Sequence, residues 1–265
     1  MRRSAIFWGV IIILLGIFLL INNFVEVDIG RFFWPLFLIL LGVWVLLGVF
    51  AAPRGFETEE ATIPLEGAGK ARVHIGHGAG RLRVGGGAGA GELLSGSFGG
   101  GLEQRVKREG DALDVKLSVR VSGEHFIFPW TWWGPGRSLD WTVNLNEGIP
   151  LSLDLETGAS DTRVDLTDLR VTDLRLQTGA SSSEITLPAR AGHTKAVIRS
   201  GAASVNVRVP EGAAARVKAG GIADIQVNKS RFPRVGGVYQ SEDYATAENK
   251  VDIDIETGVG SISVR

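Results

Sequence analysis

Four histidines, His74, His77, His125 and His193, are the only imidazoles in this chain that could serve acid–base or metal chemistry, and there is no cysteine. The lack of cysteine removes disulfides, thiol catalysis and thiolate metal sites. His74 and His77 flank Gly76 in a His-Ile-Gly-His run with no acidic residue beside them in sequence. They read as exposed strand and turn residues, not as metal ligands. Gly76-His77-Gly78-Ala79-Gly80 has the look of a phosphate loop, but that motif needs a helix to follow, whose N-terminus holds the phosphate. Here Arg81-Leu82-Arg83-Val84 alternates as a strand. Asp161, Asp165 and Asp168 do not have the spacing of a calcium loop. Ser160 and Ser181 to Ser183 read as turn residues, because no histidine or lysine base stands beside them. No catalytic, metal or cofactor-binding residue is assigned, and the chain reads as a protein that is not an enzyme.

The densest chemical feature is Phe126-Ile127-Phe128-Pro129-Trp130-Thr131-Trp132-Trp133-Gly134-Pro135-Gly136. Three tryptophans in four residues within a Pro/Gly loop are costly to leave in water. Phe126, Phe128, Trp130, Trp132 and Trp133 form a candidate interaction loop. Three readings stay open: a lid over the β domain, a protein-contact hot spot, or insertion into the membrane interface.

The elements that position these residues fall into two parts. Residues 1–52 carry only Arg2, Arg3, Glu26, Asp28 and Arg31 as charges, so the rest holds nearly all of the 28 basic and 29 acidic residues in near balance. Residues Ala5 to Ile21 and Phe32 to Ala52 are free of charge. Helices of roughly 18–21 residues span about 27–31 Å, the thickness of the hydrocarbon core. The expectation is a transmembrane hairpin over 1–52, with spans near 4–22 and 32–51. Pro35 falls in the first turn of the second helix, where it needs no N–H partner. Trp8 and Trp34 lie near helix ends as interface anchors. A signal peptide fits less well, because no small-residue cleavage site follows and a second span comes at once. The positive charges before the first span and Arg54 after the second place both ends, and the following domain, in the cytoplasm. The expected location is therefore the cell membrane, multi-pass, with the lipid bilayer as first partner.

After a linker over 53–69, residues 70–265 form a glycine-rich repeat. Its unit is an alternating apolar strand, a glycine, and a second alternating strand. Val73, Ile75, Gly78, Leu82 and Val84 make one copy; Leu153, Leu155, Gly158, Val164 and Leu166 make another. Gly179, Gly201, Gly220 and Gly258 mark the later copies, and from Gly158 onward the intervals are 21, 22, 19 and 38 residues. Gly236-Gly237 sits in the last interval as a candidate degenerate turn. Period-two alternation buries one face of a strand. A unit of about 20 residues cannot bury its face alone, so copies must stack. The predicted fold is all-β, a solenoid-like stack of short parallel strands, with the glycines supplying positive φ at sharp turns. Glu109-Gly110-Asp111 reads as a hairpin turn, and Leu139 to Leu145 as a strand, in a part that covers one end of the stack. Gly85–Gly101 and Ser230–Asn249 read as loops. A nearly neutral domain gives no electrostatic case for nucleic-acid binding.

The run Trp8-Gly9-Val10-Ile11-Ile12-Ile13-Leu14-Leu15-Gly16, with Phe33-Trp34-Pro35-Leu36, resembles the membrane segment of Lia-type (LiaF-like) envelope-stress proteins. The series Trp141-Thr142-Val143, Ile149-Pro150-Leu151, Gly158-Ala159, Val164-Asp165-Leu166, Thr178-Gly179-Ala180 and Leu187-Pro188 resembles their C-terminal toast-rack β domain. The resemblance covers about residues 4–50 and 140–265. It implies a cell-wall-active antibiotic response protein of the bacterial envelope, not an enzyme, that modulates a membrane histidine kinase. The chain departs from some relatives in having two spans and a tryptophan-rich insert. The other reading of the same features is a membrane-tethered, self-associating scaffold or adhesin-like protein.

Overall fold

The structure, a computed structural model, describes residues 58–120 and 139–265. The stretch expected to form the membrane hairpin, with Trp8 and Trp34, and the tryptophan-rich loop lie outside the described residues. Among the described residues no helix is long and apolar enough to cross a membrane.

Thirteen strands pair into one sheet. They are β1 (Thr58–Pro64), β2 (Lys70–Gly86), β3 (Glu92–Gly99), β4 (Leu102–Glu109), β5 (Ala112–Val119), β6 (Trp141–Leu145), β7 (Leu151–Asp165), β8 (Val171–Thr186), β9 (His193–Arg208), β10 (Ala214–Val227), β11 (Arg234–Val235), β12 (Val238–Gln240) and β13 (Lys250–Val264). The repeat occupies the long strands β2, β7, β8, β9, β13 and β10, which run parallel in that order.

Each long strand has two arms. In β7, Leu151, Leu153, Leu155 and Thr157 are buried, then Ser160, Thr162 and Val164, with Gly158 and Ala159 both exposed between them. The alternation changes phase at the glycine. On a straight strand that flip would send the two halves to opposite faces. Yet Leu153, Leu155 and Val164 share one core, so the strand turns a corner there and its arms enclose the core. The register then builds continuous rows. On the first arm Val115, Val73, Leu153, Leu174, Ala196, Ile253 and Val217 stand side by side. On the second, Val143, Val84, Val164, Ile185, Val207, Val264 and Val227 do the same. Removing one such buried Leu or Ile side chain costs about 2–5 kcal/mol.

Four features differ from the sequence reading. The stack is not sequential: β13 lies between β9 and β10, so the C-terminal strand inserts beside a strand that precedes it by two long elements. The repeat glycines are not at positive φ; Gly78, Gly158, Gly179, Gly201, Gly220 and Gly258 are all absent from that set, which includes Gly80, Gly221 and Gly260. What the inner ones share is close approach. A Cβ on Gly179 would lie 3.0 Å from the carbonyl oxygen of Gly158, one on Gly201 2.9 Å from that of Gly179, and one on Gly258 2.7 Å from that of Gly201. Corner stacks on corner through bare backbone.

The third difference is that stretches read as linker or loop are built into the sheet: 53–69 contains β1, which pairs with β3 and buries Ile63, Gly85–Gly101 contains β3, and Ser230–Asn249 contains a hairpin with buried Phe232 and Tyr244. Glycine and polar composition masked short alternating runs in these stretches. The fourth is that Gly236-Gly237, both at positive φ, form the two-residue turn of that β11–β12 hairpin, not a repeat corner. Paired positive φ matches the twist of flanking strands. Gly110, at positive φ, and Asp111 link β4 to β5, with Glu109 opposite Ala112.

At the β2 end the two arms are extended separately. β5 pairs with the first arm and carries β4; β6 pairs with the second and carries β3 and β1.

Candidate functional site

The chemistry-bearing residues gather along the corner line. Outside it runs a shallow groove of about 900 Å³ floored by Gly78, Gly158, Gly179, Gly201 and Gly258 and edged by Glu156, Gln177, Arg199 and Glu256, with Ile222 at one end. Ile222 is 83% exposed. At Gly158, Gly179, Gly201 and Gly258 the glycine floor follows from the stacking rule above, since a side chain there would meet the carbonyl of the neighbouring corner; at Gly78 the space is open.

Inside the corner the core turns polar. His77, Thr157, Thr178, Ser200 and Thr257 form one register row. His77 is 2% exposed. Its Nε2–H donates to the Leu139 carbonyl at 2.7 Å, and its ring packs 5.4 Å from that of Trp141. Burial pushes its pKa below the ordinary histidine value, outweighing the opposing pull of the Leu139 carbonyl and the Asp140 charge. The imidazole is thus held neutral, with Nδ1 buried and without a hydrogen-bond partner. Thr157 and Thr178 also bury unpartnered hydroxyls, whereas Ser200 and Thr257 bond each other at 2.7 Å.

Beside this row Trp141 is fully buried. Its indole N–H donates to the Gly99 carbonyl at 3.0 Å, and Phe98 meets it edge-on at 5.0 Å. An aromatic with its polar handle satisfied pins the second arm to β3.

The outer face of the first arm is a lattice of charge. Arg199 joins both Asp254 and Glu256. At the far end Asp252 accepts from the Tyr244 hydroxyl at 2.5 Å and from His193 Nε2 at 2.8 Å. Arg216 stacks 4.2 Å over the Tyr244 ring. Burial works against the Asp252 charge, but the bonds from Tyr244 and His193 and the charges of His193 and Arg216 prevail and hold its carboxyl below the ordinary value. Burial, with the neighbouring Asp252, pushes the Tyr244 phenol up to about 12. Such exposed and half-exposed pairs add little stability each; they chiefly solubilise the face.

His74 stands opposite Asp154 in the register, with Nδ1 3.3 Å from its Oδ2; Nε2 lies 4.0 Å from Oε2 of Glu156. Local sequence showed no acidic companion because both carboxylates come from β7. The alternation of β7 was the available signal, since it puts Asp154 and Glu156 on one outward face. His77, read as exposed, is instead buried. Ser160 and Ser183 lie buried inside strands, not in turns; Ser160 bonds Thr162 at 2.9 Å and Ser181 bonds Ser183 at 3.2 Å. Asp165 accepts from the backbone N–H and hydroxyl of Thr167, closing a turn. It does not converge with Asp161 or Asp168 on a common site. Of the proposed residues, the structure brings together the corner glycines; the aromatic loop and the membrane tryptophans fall outside the described residues.

A glycine-cornered stack of this kind, behind an apolar N-terminal segment, defines a class of membrane protein with a toast-rack domain. Residues 52–208 match the family described as the N-terminal domain of toast_rack, and residues 6–46 match the LiaI-LiaF-like transmembrane region. The chain belongs to the toast-rack family and is a LiaF-like membrane protein. Neither family is known for catalysis. No curated protein matches the chain. A crystal structure from Clostridium sporogenes ATCC 15579, named a "putative cell adhesion protein", is similar with a TM-score of 0.70 at 21% identity, over 79% of this chain and 98% of that one. At that identity the likeness speaks to fold.

Proposed function

We propose that this is a two-span, non-enzymatic envelope-stress protein whose cytoplasmic β domain and membrane helices modulate a sensor histidine kinase. The observation that carries the reading is the conjunction, in one chain, of a LiaI-LiaF-like transmembrane region and a toast-rack domain. The physical case is that of a rigid presenter. Parallel strands in fixed register hold the outward side chains in rows, so a partner meets a preorganised surface and little ordering cost falls on binding. The helices set where that surface sits and can pair with a partner's spans.

Sidedness tests this first. The chain has no native cysteine, and Ser230 is exposed, so Ser230→Cys is a clean reporter for an impermeant thiol reagent. Labelling only after permeabilisation agrees with a kinase modulator acting from inside. Labelling of intact cells refutes that topology.

One observation favours a second reading, a self-associating scaffold or adhesin-like layer. The second arm of β10 pairs with β13, but its outer edge has no strand partner among the described residues. An unpaired edge is a template for another strand. The name of the similar structure points the same way. Filaments or oligomers of the purified protein that grow with concentration would favour this reading over a kinase complex.

A further inference from the structure

We propose that His74, Asp154 and Glu156 form a binding site for a first-row divalent cation of the zinc and manganese class. The three residues need no loop to meet. His74 on β2 and Asp154 on β7 are register partners, and Glu156 follows one pleat further along the same outward face. Their ligand atoms all lie within 4.8 Å of one another. Nδ1 of His74 and Oδ2 of Asp154, 3.3 Å apart, have the separation of two donors on one small cation.

Charge singles this cluster out from the rest of the face. Asp254 and Glu256, at the corresponding positions of β13, are joined by the guanidinium of Arg199. Asp252 has Arg216 as well as His193. Within ion-pair distance Asp154 and Glu156 have only the His74 imidazole among the described residues, although Arg175 stands opposite Asp154 in the register without pairing with it. An imidazole is a permanent charge far less than a guanidinium is, but it is a good metal ligand. Moreover, Oδ1 of Asp154 is buried with no hydrogen-bond partner. A buried carboxylate oxygen without a donor is costly, and a cation held by Asp154 through Oδ1 as well as Oδ2 would offset the cost.

The donor set selects the ion. Imidazole suits zinc and its neighbours, while carboxylates suit manganese and harder ions. One nitrogen and two carboxylate oxygens leave coordination positions open to water. The side chain of Glu156 is 53% exposed and is free to turn onto the ion, whereas those of His74 and Asp154 are 17% and 30% exposed and fixed by the sheet. The bound ion clips β2, which carries the N-terminal strands, to β7, the next strand of the repeat. Divalent cation supply would then tune the stability of that junction.

The test is calorimetric titration of zinc chloride and manganese chloride into the tag-free full chain in detergent at neutral pH. Saturable one-site binding is expected for at least one ion. Glu156→Gln and Asp154→Asn should each weaken it about tenfold or more, while His193→Ala, which removes the other histidine–carboxylate pair, should leave it unchanged. Glu156→Gln alters a half-exposed side chain, so its fold, checked by circular dichroism, should match the parent. No saturable binding to the parent chain overturns the proposal. So does binding that survives Glu156→Gln and Asp154→Asn, or that is lost with His193→Ala.

Discussion

Replacing each repeat glycine by alanine, one at a time, separates two explanations of why glycine is there. If the corner needed special backbone freedom, all six substitutions would be costly. The structure gives a different series. Gly78 and Gly220 have nothing within 4 Å of an added Cβ. There alanine should be neutral or stabilising by up to about 0.5–1 kcal/mol, because glycine loses more chain entropy on folding. At Gly179, Gly201 and Gly258 the added methyl would sit 3.0, 2.9 and 2.7 Å from a backbone carbonyl oxygen. A backbone atom fixed on both sides by ladder bonds cannot yield as a flexible side chain would, so these variants should lose about 1–3 kcal/mol, the usual cost of overpacking. Gly158 is tighter still against Gly78 and should be the most damaged. For a domain of this size each kcal/mol is worth about 2–4 °C in Tm. Thermal melts of the six variants should therefore fall into a tolerant outer pair and a damaged inner four. Equal losses at Gly78 and Gly179 would refute the close-approach argument.

Trp141→Phe should destabilise by about 1–3 kcal/mol, since it leaves the buried Gly99 carbonyl without its donor and shrinks a fully packed site; denaturant titration reads this, and an unchanged midpoint would contradict it. Acid should weaken the domain in two stages. The pKa of His77 is lowered on folding, so its contribution is whole above the ordinary histidine value near 6.5 and is lost as pH falls through the folded value; His77→Gln should flatten that upper stage alone in a stability–pH profile. Asp252 is also lowered, so its contribution is present above the ordinary carboxylate range and is lost at lower pH; Tyr244→Phe, which removes one of its donors, should diminish this lower stage. Ile222→Lys and Ile225→Lys, on the bare β10 edge, should suppress any concentration-dependent self-association in sedimentation velocity; unaltered association would place the contact elsewhere.

The sequence carried the strands because alternation is a local signal. Leu153, Leu155 and Val164 announce two buried arms, and Gly158 between them marks the corner. It could not carry the order of the stack. The insertion of β13 between β9 and β10 depends on pairing Ala196 with Ile253, and nothing local distinguishes that from pairing with Val217. The cause of the glycines was equally hidden, because the carbonyl that excludes a side chain at Gly179 belongs to Gly158. His74 illustrates the same limit at the level of chemistry, since its acidic neighbours arrive only through the register of β2 with β7. Where composition misled, as at β3 and the β11–β12 hairpin, glycine and polar residues outnumbered a short apolar alternation that tertiary pairing was enough to hold.

The ends of the stack bear on which functional reading prevails. The first arm ends on β4 at one side and on β12 and β11 at the other. β4 presents Glu103, Arg105, Lys107, Arg108 and Glu109 along an exposed edge, and like or mixed charge there deters another strand. At the other side β12 pairs with Arg216 and Val217, and Ser241 and Tyr244 pack beneath it. On the second arm, β1 ends its ladder at Pro64 after a register slip, which also discourages extension. Among the described residues β10 from Ile222 to Val227 combines free backbone groups with the longest uncovered apolar run, Ile222, Ile225 and Val227, whereas the outer edge of β4 exposes Val106 alone among charges and the two-residue β11 exposes Val235. Open-ended growth needs two complementary edges, and among the described residues the other unpaired edges, on β1, β4 and β11, are charged, very short or ended by proline. That favours a single docking event at β10 over an indefinite polymer. A regulator that captures one partner strand fits such a surface, and a self-associating scaffold fits it only if a second copy meets β10 with its own β10, which would stop at a dimer.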